Sequence, residues 1–327
     1  MRLLLVLFCT LLHFMASAQS YIAYQHVFNR VDEDVLSERL EDAVPRLDTI
    51  FHSYSFVYAR HCIKALQISC ALNDTVRADA WLTRAFLQGV PLWVIRSNNI
   101  TKKALEYIPC QKTTLQKDSL HTIYRSKINT ALAAEVNELL VKDYHYTRKV
   151  NDGFILFRHT LYGLQWVRNN KKEYREISRI IGAYGYPGER LIGLPLTEQD
   201  SANNARFVLN NGIGLEMQDR RVFFMLLHYY SSRGRTLNEK LYSCIDKGDL
   251  PAYQYARIND YLALYGKRSE YKDASYYEFH DIEGNTDSLN RKRFSIGLNT
   301  FEQQERNKSA ELRMRKERSL NDHVILE

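Results

Sequence analysis

Residues 177–188 read ISRIIGAYGYPG and end a helical pattern in a tight turn. We predict a helix over residues 172–183, followed by a turn at residues 185–188, where two glycines flank Tyr186 and Pro187. Two further apolar helices come next, one carrying His228 and the other carrying Asp260. Turn residues, apolar helices and potentially reactive groups recur here in an order that suggests a site. Residues 177–271 are therefore the segment in which we expect the functional site.

The composition favours helices over sheets. The 327 residues include only 14 glycines and 6 prolines, and no stretch shows sustained alternation of apolar and polar residues. Long helices tolerate such a composition better than a β-sandwich does. We predict an all-α protein, with a helical-hairpin N-terminal region followed by an α-helical C-terminal domain.

The N-terminal region begins with apolar residues at helical spacing, which predict one helix over residues 47–72. Asn73 and Asp74 supply capping groups for a second helix, which ends at Gly89 with Pro91 just beyond. The pair forms a helical hairpin that is weakly similar to a tetratricopeptide-type repeat. Residues 92–112 are predicted to be irregular.

The predicted organisation has three parts after the leader: an N-terminal helical region at 19–112, an α-helical domain at 113–300 and a charged helical tail at 301–327. The middle part opens with a long helix from Thr113 or Thr114 to Val141. Asn151, Asp152 and Gly153 form a turn signal. Residues 154–166 are interpreted as helix, with a short strand as the alternative. Four further helices are predicted at residues 197–210, 218–229, 237–248 and 251–264.

The first eighteen residues resemble a secretion signal. Arg2 precedes an apolar run over residues 3–12, and the small residues Ala16 and Ala18 precede Gln19. A membrane anchor is the alternative, but the run is shorter than the roughly 20 residues that span a bilayer. We predict cleavage before Gln19 and export to the periplasm or the extracellular space. No later segment has the sequence of a transmembrane helix.

Excess positive charge is concentrated in the tail. The chain carries a formal charge of +7, and residues 291–318 contain nine Lys or Arg against four Glu. In an exported protein this pattern predicts a solvated helix or a contact with anionic envelope surfaces, and it does not predict nucleic-acid binding.

Cysteines 62, 70, 110 and 244 remain after leader removal. Cys62 and Cys70 are eight residues apart on a predicted helix, about 12 Å, which is too far for a bridge. A disulfide would have to include Cys110 or Cys244, and buried free thiols are the alternative.

His228 is the first candidate for chemistry because it lies in the most apolar helix of the mature chain. It could act as a general base beside a carboxylate such as Asp260, or it could be a core histidine with satisfied nitrogens. Asp143 and Arg148 follow a long apolar stripe and could bind a polar ligand or form a simple ion pair. Tyrosines from Tyr253 to Tyr277, including Tyr271, could line a groove or edge the core. No metal or cofactor motif is present, so we predict neither group.

One further pattern is a family resemblance. The chain contains, in order, IxxIxxxYGYPG (177–188), the His228 helix, GDL (248–250), AxxxD (256–260), GK (266–267), Tyr271 and NRKRxxxGL (290–298). Over residues 139–298 this order resembles an uncharacterised bacterial family, number 6624 among the domains of unknown function. The resemblance implies a helical fold, frequent export in Bacteroidetes-like bacteria and no established activity.

The resemblance also implies functional positions, which carry over to Asp143, Arg148, His228 and Asp260. The chain departs from the family at Tyr144, which replaces a glutamine, and at Tyr261, which replaces an arginine. Residues 268–274 read RSEYKDA in place of the family's Pro-Gln-x-Tyr-Gly-x-Gln block. If the missing groups bind a ligand in the family, this member has altered that site.

We therefore predict an exported helical protein that binds an unknown protein or small-molecule ligand without catalysis. The predicted ligand-binding residues are Asp143, Arg148, His228, Asp260 and Tyr271. The alternative is a hydrolase in which His228 is the general base and Asp260 or Asp143 orients it. A solvent-connected His228 bonded to a carboxylate favours the enzyme, whereas a His228 sealed in the core favours the binder.

Overall fold

The computed structural model describes residues 20–107, 110–195, 221–233, 237–265, 275–276 and 286–317. Within these ranges the protein is all-α and contains no strand, as the sequence predicts. The predicted leader, the predicted helix at 197–210 and Tyr271 lie outside the described residues. Among the described helices, none is both long and apolar enough to cross a bilayer.

The helices of the first half are α1 Tyr21–Leu36, α2 Leu40–Ser53, α3 Ala59–Ala71, α4 Thr75–Leu87, α5 Leu92–Ser97, α6 Asn99–Lys102, α7 Ala104–Tyr107, α8 Cys110–Lys127 and α9 Thr130–Asp152. A π-helical turn, Arg158–Tyr162, follows α9. The remaining helices are α10 Gly163–Tyr184, α11 Glu189–Ile192, α12 Arg221–Arg233, α13 Asn238–Asp246, α14 Ala252–Tyr265, α15 Thr286–Phe294 and α16 Phe301–Glu317.

The hairpin of α3 and α4 is present, but the single helix predicted over residues 47–72 is wrong. The chain leaves the helix after Ser53, and α3 begins only at Ala59. Between them an extended segment buries the side chains of Tyr54 and Val57. The guanidinium of Arg84, on α4, donates to the backbone carbonyls of Tyr54 and Ser55. These bonds satisfy backbone groups that a helix would otherwise pair internally.

The predicted limits of the second helix are confirmed. The Asp74 carboxylate accepts a hydrogen bond from the Arg77 backbone N–H at 3.0 Å and caps α4. Gly89 follows the helix with a φ of +76°, a conformation that favours glycine. The tetratricopeptide resemblance stays a prediction.

The sequence predicts an irregular segment at residues 92–112, and this prediction is wrong for residues 92–107. They form the three short helices α5, α6 and α7. Asn98 makes the middle helix possible because its side-chain oxygen accepts from the backbone N–H groups of Ile100 and Thr101. Thr101 is buried and donates through its hydroxyl to the Ile95 carbonyl at 2.7 Å. These short helices are therefore determined by local side-chain caps and not by a periodic apolar pattern.

The long helix predicted from residue 113 or 114 to 141 is two helices. The chain breaks at Asn129, whose side chain accepts from the Leu132 N–H and whose own N–H donates to the Leu191 carbonyl at 2.8 Å. The second of these helices, α9, continues eleven residues past the predicted end at Val141, to Asp152. This extension keeps Asp143 on a helix. Of the turn predicted at residues 151–153, only Gly153 lies outside the helix, because Asn151 and Asp152 form its last residues.

The helix predicted over residues 154–166 is present only from Arg158 onward, and the alternative strand is not formed. The chain makes a turn, then the π-helical turn Arg158–Tyr162, and α10 begins at Gly163. Arg158 stabilises the turn by donating from Nε to the Gly153 carbonyl at 2.6 Å. Helices α9 and α10 run antiparallel, since Thr147 bonds Trp166 near the turn and Glu135 bonds Arg179 far from it.

Two clusters of buried apolar residues form the core. The first comes from residues 21–104 together with Leu194, and the second from residues 132–298. Helix α8 precedes the second cluster in sequence but packs on α4, where Gln116 donates to the Thr83 hydroxyl. Cys62, Cys70 and Cys244 are buried free thiols.

The turn at residues 185–188 joins the two clusters. Gly185 has a φ of +90°, and a Cβ placed on Gly188 would lie 2.5 Å from the Asp249 carbonyl. Tyr186 is buried and its hydroxyl donates to Gln254 at 3.1 Å. On the other side, the Glu189 carboxylate accepts from the Ala59 N–H at 2.6 Å. The segment that organises the sequence therefore connects both cores.

Candidate functional site

Three helices bring polar side chains together in the second half of the molecule. Helix α9 contributes Asp143, α10 contributes Glu173, and α12 contributes His228. Asp143 and Glu173 are buried, although carboxylates are seldom buried in proteins without a partner. These helices pack against each other directly. We call this group of three residues the acid–base cluster.

His228 bonds to a carboxylate and remains open to solvent. Its Nδ1 lies 2.9 Å from Asp143 Oδ1, and its side chain is 25% exposed. A carboxylate can only accept a hydrogen bond, so this contact places a proton on Nδ1. In the neutral imidazole Nε2 then carries the lone pair, which makes that atom the one able to accept a proton.

The imidazole is also held by an aromatic neighbour. The Trp166 ring lies edge-on to His228, with ring centroids 5.6 Å apart. Trp166 is itself fixed, because its indole Nε1 donates to the Thr147 hydroxyl at 3.2 Å. The ring of His228 is thus positioned by α9 through Asp143 and by α10 through Trp166.

Glu173 has an altered acidity. Burial raises the pKa of its carboxyl to about 7, and the Asp143 carboxylate adds to this rise. A hydrogen bond from Asn169 and the positive potential of His228 and Lys142 oppose it. At neutral pH the Glu173 carboxyl is therefore divided between its protonated and ionised forms.

Asn170 lies on the same stripe of α10. Trp166, Asn170 and Glu173 are spaced four and three residues apart, so they share one helix face. Asn170 is buried, and its side-chain oxygen Oδ1 has no hydrogen-bond partner. An unpaired buried carbonyl oxygen is rare in folded proteins and can accept from a bound molecule.

The other predicted site residues lie elsewhere. Asp260 is fully buried on α14, where it accepts from the Ser275 hydroxyl at 2.9 Å and from the Tyr276 N–H. The carboxylate bonded to His228 is thus Asp143. Arg148 is exposed and lies 3.9 Å from Asp152, one helical turn along α9. The predicted pairing of Arg148 with Asp143 is therefore replaced by a surface pair.

Sequence reasoning missed Glu173, Asn170 and Trp166. A signal for them does exist, since the stripe that buries Ile177 and Ile180 continues backward through Glu173 and Asn170. Polar residues on an otherwise buried stripe are candidates for a site. In the described part of the chain, no group of three or more His, Cys, Asp or Glu side chains is arranged to hold a metal ion.

A separate open groove of about 780 Å³ lies between α1 and α16. Charged and amide groups line it: Glu33 from α1, Arg39 from the connection between α1 and α2, and Gln303, Arg306 and Arg313 from α16. None of the residues of the acid–base cluster lines this groove, so the cluster is a site of its own.

No protein-family model, no curated protein and no solved structure matches the chain. The resemblance to the uncharacterised bacterial family therefore stays a prediction, and the functional argument depends on the site itself.

Proposed function

We propose that the protein is an acid–base enzyme of the hydrolase type, in which His228 is the general base. The single observation that supports this most directly is the 2.9 Å bond between His228 Nδ1 and Asp143, on a histidine that stays 25% exposed. A buried carboxylate that orients a solvent-connected imidazole is the arrangement that general-base catalysis needs.

In the proposed reaction His228 accepts a proton at Nε2 from a water molecule, and the resulting hydroxide attacks an electrophilic centre of the substrate. Asp143 holds the imidazole in the required tautomer and stabilises the imidazolium that forms. The imidazolium then returns the proton to the leaving group, which restores the neutral ring. Glu173, whose pKa is about 7, adjusts the negative charge beside the ring over the physiological pH range.

The test is hydrolysis of chromogenic p-nitrophenyl acetate, butyrate and phosphate by purified protein, at several pH values. We expect H228Q and D143N to lower kcat/KM by about 10²-fold or more, which is the range of general-base effects. The matched control is H145Q, because His145 is an exposed histidine of α9. Equal rates for wild type and H228Q would refute the proposed role of His228.

The pH profile gives a second readout. Ionisation of Glu173 should produce an inflection in kcat/KM near pH 7, and E173Q should remove it. A purely structural role for Glu173 predicts a uniform loss of rate with an unchanged profile.

The second candidate is a non-catalytic binding module, and Asn170 is the observation that favours it. A buried acceptor without a partner suits a small ligand that carries an N–H or O–H donor. A thermal-shift screen of small polar metabolites would find such a ligand by the rise in melting temperature that it causes. The same ligand should not raise the melting temperature of N170A. Ligand binding without turnover of any ester would favour this candidate over the enzyme.

Export is part of the proposal. Residues 1–18 have the pattern of a secretion signal, and the function is proposed for the chain that begins at Gln19.

A further inference from the structure

The turn between α9 and α10 ends in exposed apolar side chains. Phe154, Ile155, Leu156 and Phe157 are consecutive, and the first three are 60%, 71% and 70% exposed. We call these four residues the apolar tip. Leu161 and Leu164, also exposed, extend the patch onto the start of α10.

This exposure is unusual for a folded chain. Single exposed apolar residues are common, but a contiguous patch of large ones marks an interaction surface. The apolar tip contributes nothing to either core cluster. Its backbone is nevertheless fixed, since Phe157 donates from its N–H to the Phe154 carbonyl at 2.9 Å and Arg158 bonds the Gly153 carbonyl.

Positive charge predominates on the parts of α9 and α10 that adjoin the apolar tip. Between residues 142 and 172 there are seven Lys or Arg and two Asp, and one of these, Asp143, is buried in the acid–base cluster. We call the seven the basic flank: Lys142, Arg148, Lys149, Arg158, Arg168, Lys171 and Lys172. Asp152 is thus the single exposed acidic group of this part of the hairpin.

We propose that the α9–α10 hairpin docks on an anionic lipid bilayer, with the apolar tip inserted among the lipid chains and the basic flank at the headgroups. Large apolar side chains next to Lys and Arg are the composition of interfacial membrane anchors. An anionic surface attracts the basic flank, and the apolar tip gains by leaving water. An apolar groove on another protein could also bury the apolar tip, but it would not account for the positive charge of the basic flank.

The distances along the hairpin agree with this arrangement. Arg148 and Lys149 lie three to four residues before the end of α9 at Asp152, which is about 5–6 Å along the helix axis, and the apolar tip begins two residues after that end. Interfacial anchors bury their apolar groups about 5–10 Å into the boundary between headgroups and chains. With the tip inserted to that depth, Arg148 and Lys149 lie level with the lipid phosphates.

The test is co-sedimentation with large unilamellar vesicles of phosphatidylcholine, with and without one quarter phosphatidylglycerol. The chain from Gln19 is used because every contact described here lies after it and because the apolar run 3–12 could itself bind lipid. We expect binding to the anionic vesicles, weak binding to pure phosphatidylcholine, and loss of binding as NaCl is raised from about 0.1 to 0.5 M.

Two matched pairs of variants separate the contributions. L156D should lower the partition coefficient about tenfold, whereas V76D should not, because Val76 is a similarly exposed aliphatic residue (79%) on α4. K171E/K172E should weaken binding about tenfold, and the control K102E/K103E should not. All four side chains replaced in these charge variants lie on exposed or half-exposed positions, so folding is retained and is checked by circular dichroism.

Three results would overturn the proposal. One is equal binding by L156D and wild type. A second is loss of binding in R306E/R313E but not in the hairpin variants, which would assign lipid contact to the tail. The third is an absence of vesicle binding together with a dimer that L156D converts to monomer in sedimentation analysis, since the tip would then bind a second copy of the chain.

Discussion

At the scale of single residues, two polar pairs each include a buried carboxylate. His228 and Asp143 form one pair, and Lys64 and Asp32 form another in the first core. The sequence indicated His228 and Asp143 as candidate site residues, because His228 lies within an apolar helix and Asp143 follows an apolar stripe. It could not choose Asp143 over Asp260 as the partner, because that choice depends on how α9 and α12 pack across 85 residues of chain.

Glu173 should make stability depend on pH. Its pKa is about 7 in the folded state and near the ordinary value of 4.5 in the unfolded chain. The folded state therefore binds more protons between these values, so stability falls as pH rises from about 4.5 to 7. We expect E173Q to stabilise the protein at pH 8, by at most about 3 kcal/mol, and to have little effect at pH 5. Thermal melts at both pH values measure this.

The control for that comparison is E138Q, because Glu138 is an exposed glutamate on α9. A stabilisation by E173Q that is the same at pH 5 and pH 8 would contradict the assigned acidity of Glu173.

The Lys64–Asp32 pair should be costly to break. Both side chains are buried, and K64A leaves the Asp32 carboxylate without the ammonium that faces it. We expect K64A to lower the free energy of unfolding by about 3–5 kcal/mol, measured in urea. R39A removes an exposed guanidinium from Asp34, which keeps its pair with Arg46, and should cost less than about 1 kcal/mol. If both variants lower the free energy of unfolding equally, the burial of Lys64 does not explain the strength of its pair with Asp32.

At the scale of helices, apolar periodicity predicted where most helices lie but not where they break. The hairpin of α3 and α4 followed from spacing and from the Asp74 cap. The breaks at residues 54–58 and at Asn129 did not, because Arg84 and Leu191 satisfy the freed backbone groups and both are distant in sequence. The turn at residues 154–157 was missed for a related reason: its apolar side chains face solvent, so burial does not set its conformation.

The helix cap at Asn129 should contribute measurably to the stability of the protein. N129A removes the side-chain oxygen that accepts from the Leu132 N–H and should lower stability by about 1 kcal/mol. N151A, an exposed substitution in the last turn of α9, is the control and should have a much smaller effect. A loss of stability in N151A equal to that in N129A would indicate a general effect of alanine at these sites and not the loss of a cap.

At the scale of the whole molecule, the two core clusters are connected by buried hydrogen bonds. Glu189 accepts from the Ala59 N–H at the start of α3, Tyr58 donates to the Gly248 carbonyl at 3.0 Å, and Asn29 donates to the Gly297 carbonyl at 2.9 Å. In each pair, one residue lies within residues 21–104, which form most of the first core, and the other lies within residues 132–298, which form the second. Sequence patterns could not reveal these links, because each joins a side chain to a backbone group far away in the chain.

Glu189 should therefore stabilise the molecule as a unit. E189A leaves the buried Ala59 N–H without its acceptor and should cost about 1–3 kcal/mol. E176A, an exposed change on α10, is the control. We expect a lower melting temperature for E189A, measured by calorimetry, and an unchanged one for E176A. An unchanged melting temperature in both would mean that the Glu189 contact contributes no net stability.

In the proposed enzyme, His228 is an oriented base that solvent can reach. The most direct test of this role is modification of the native protein with diethyl pyrocarbonate, followed by peptide mapping, with the exposed His145 as internal reference. We expect His228 to be carbethoxylated at a rate of the same order as His145, and D143N to change the rate at His228 alone. A His228 that stays unmodified while His145 reacts fully would contradict this role, because the imidazole would then be sealed in the core.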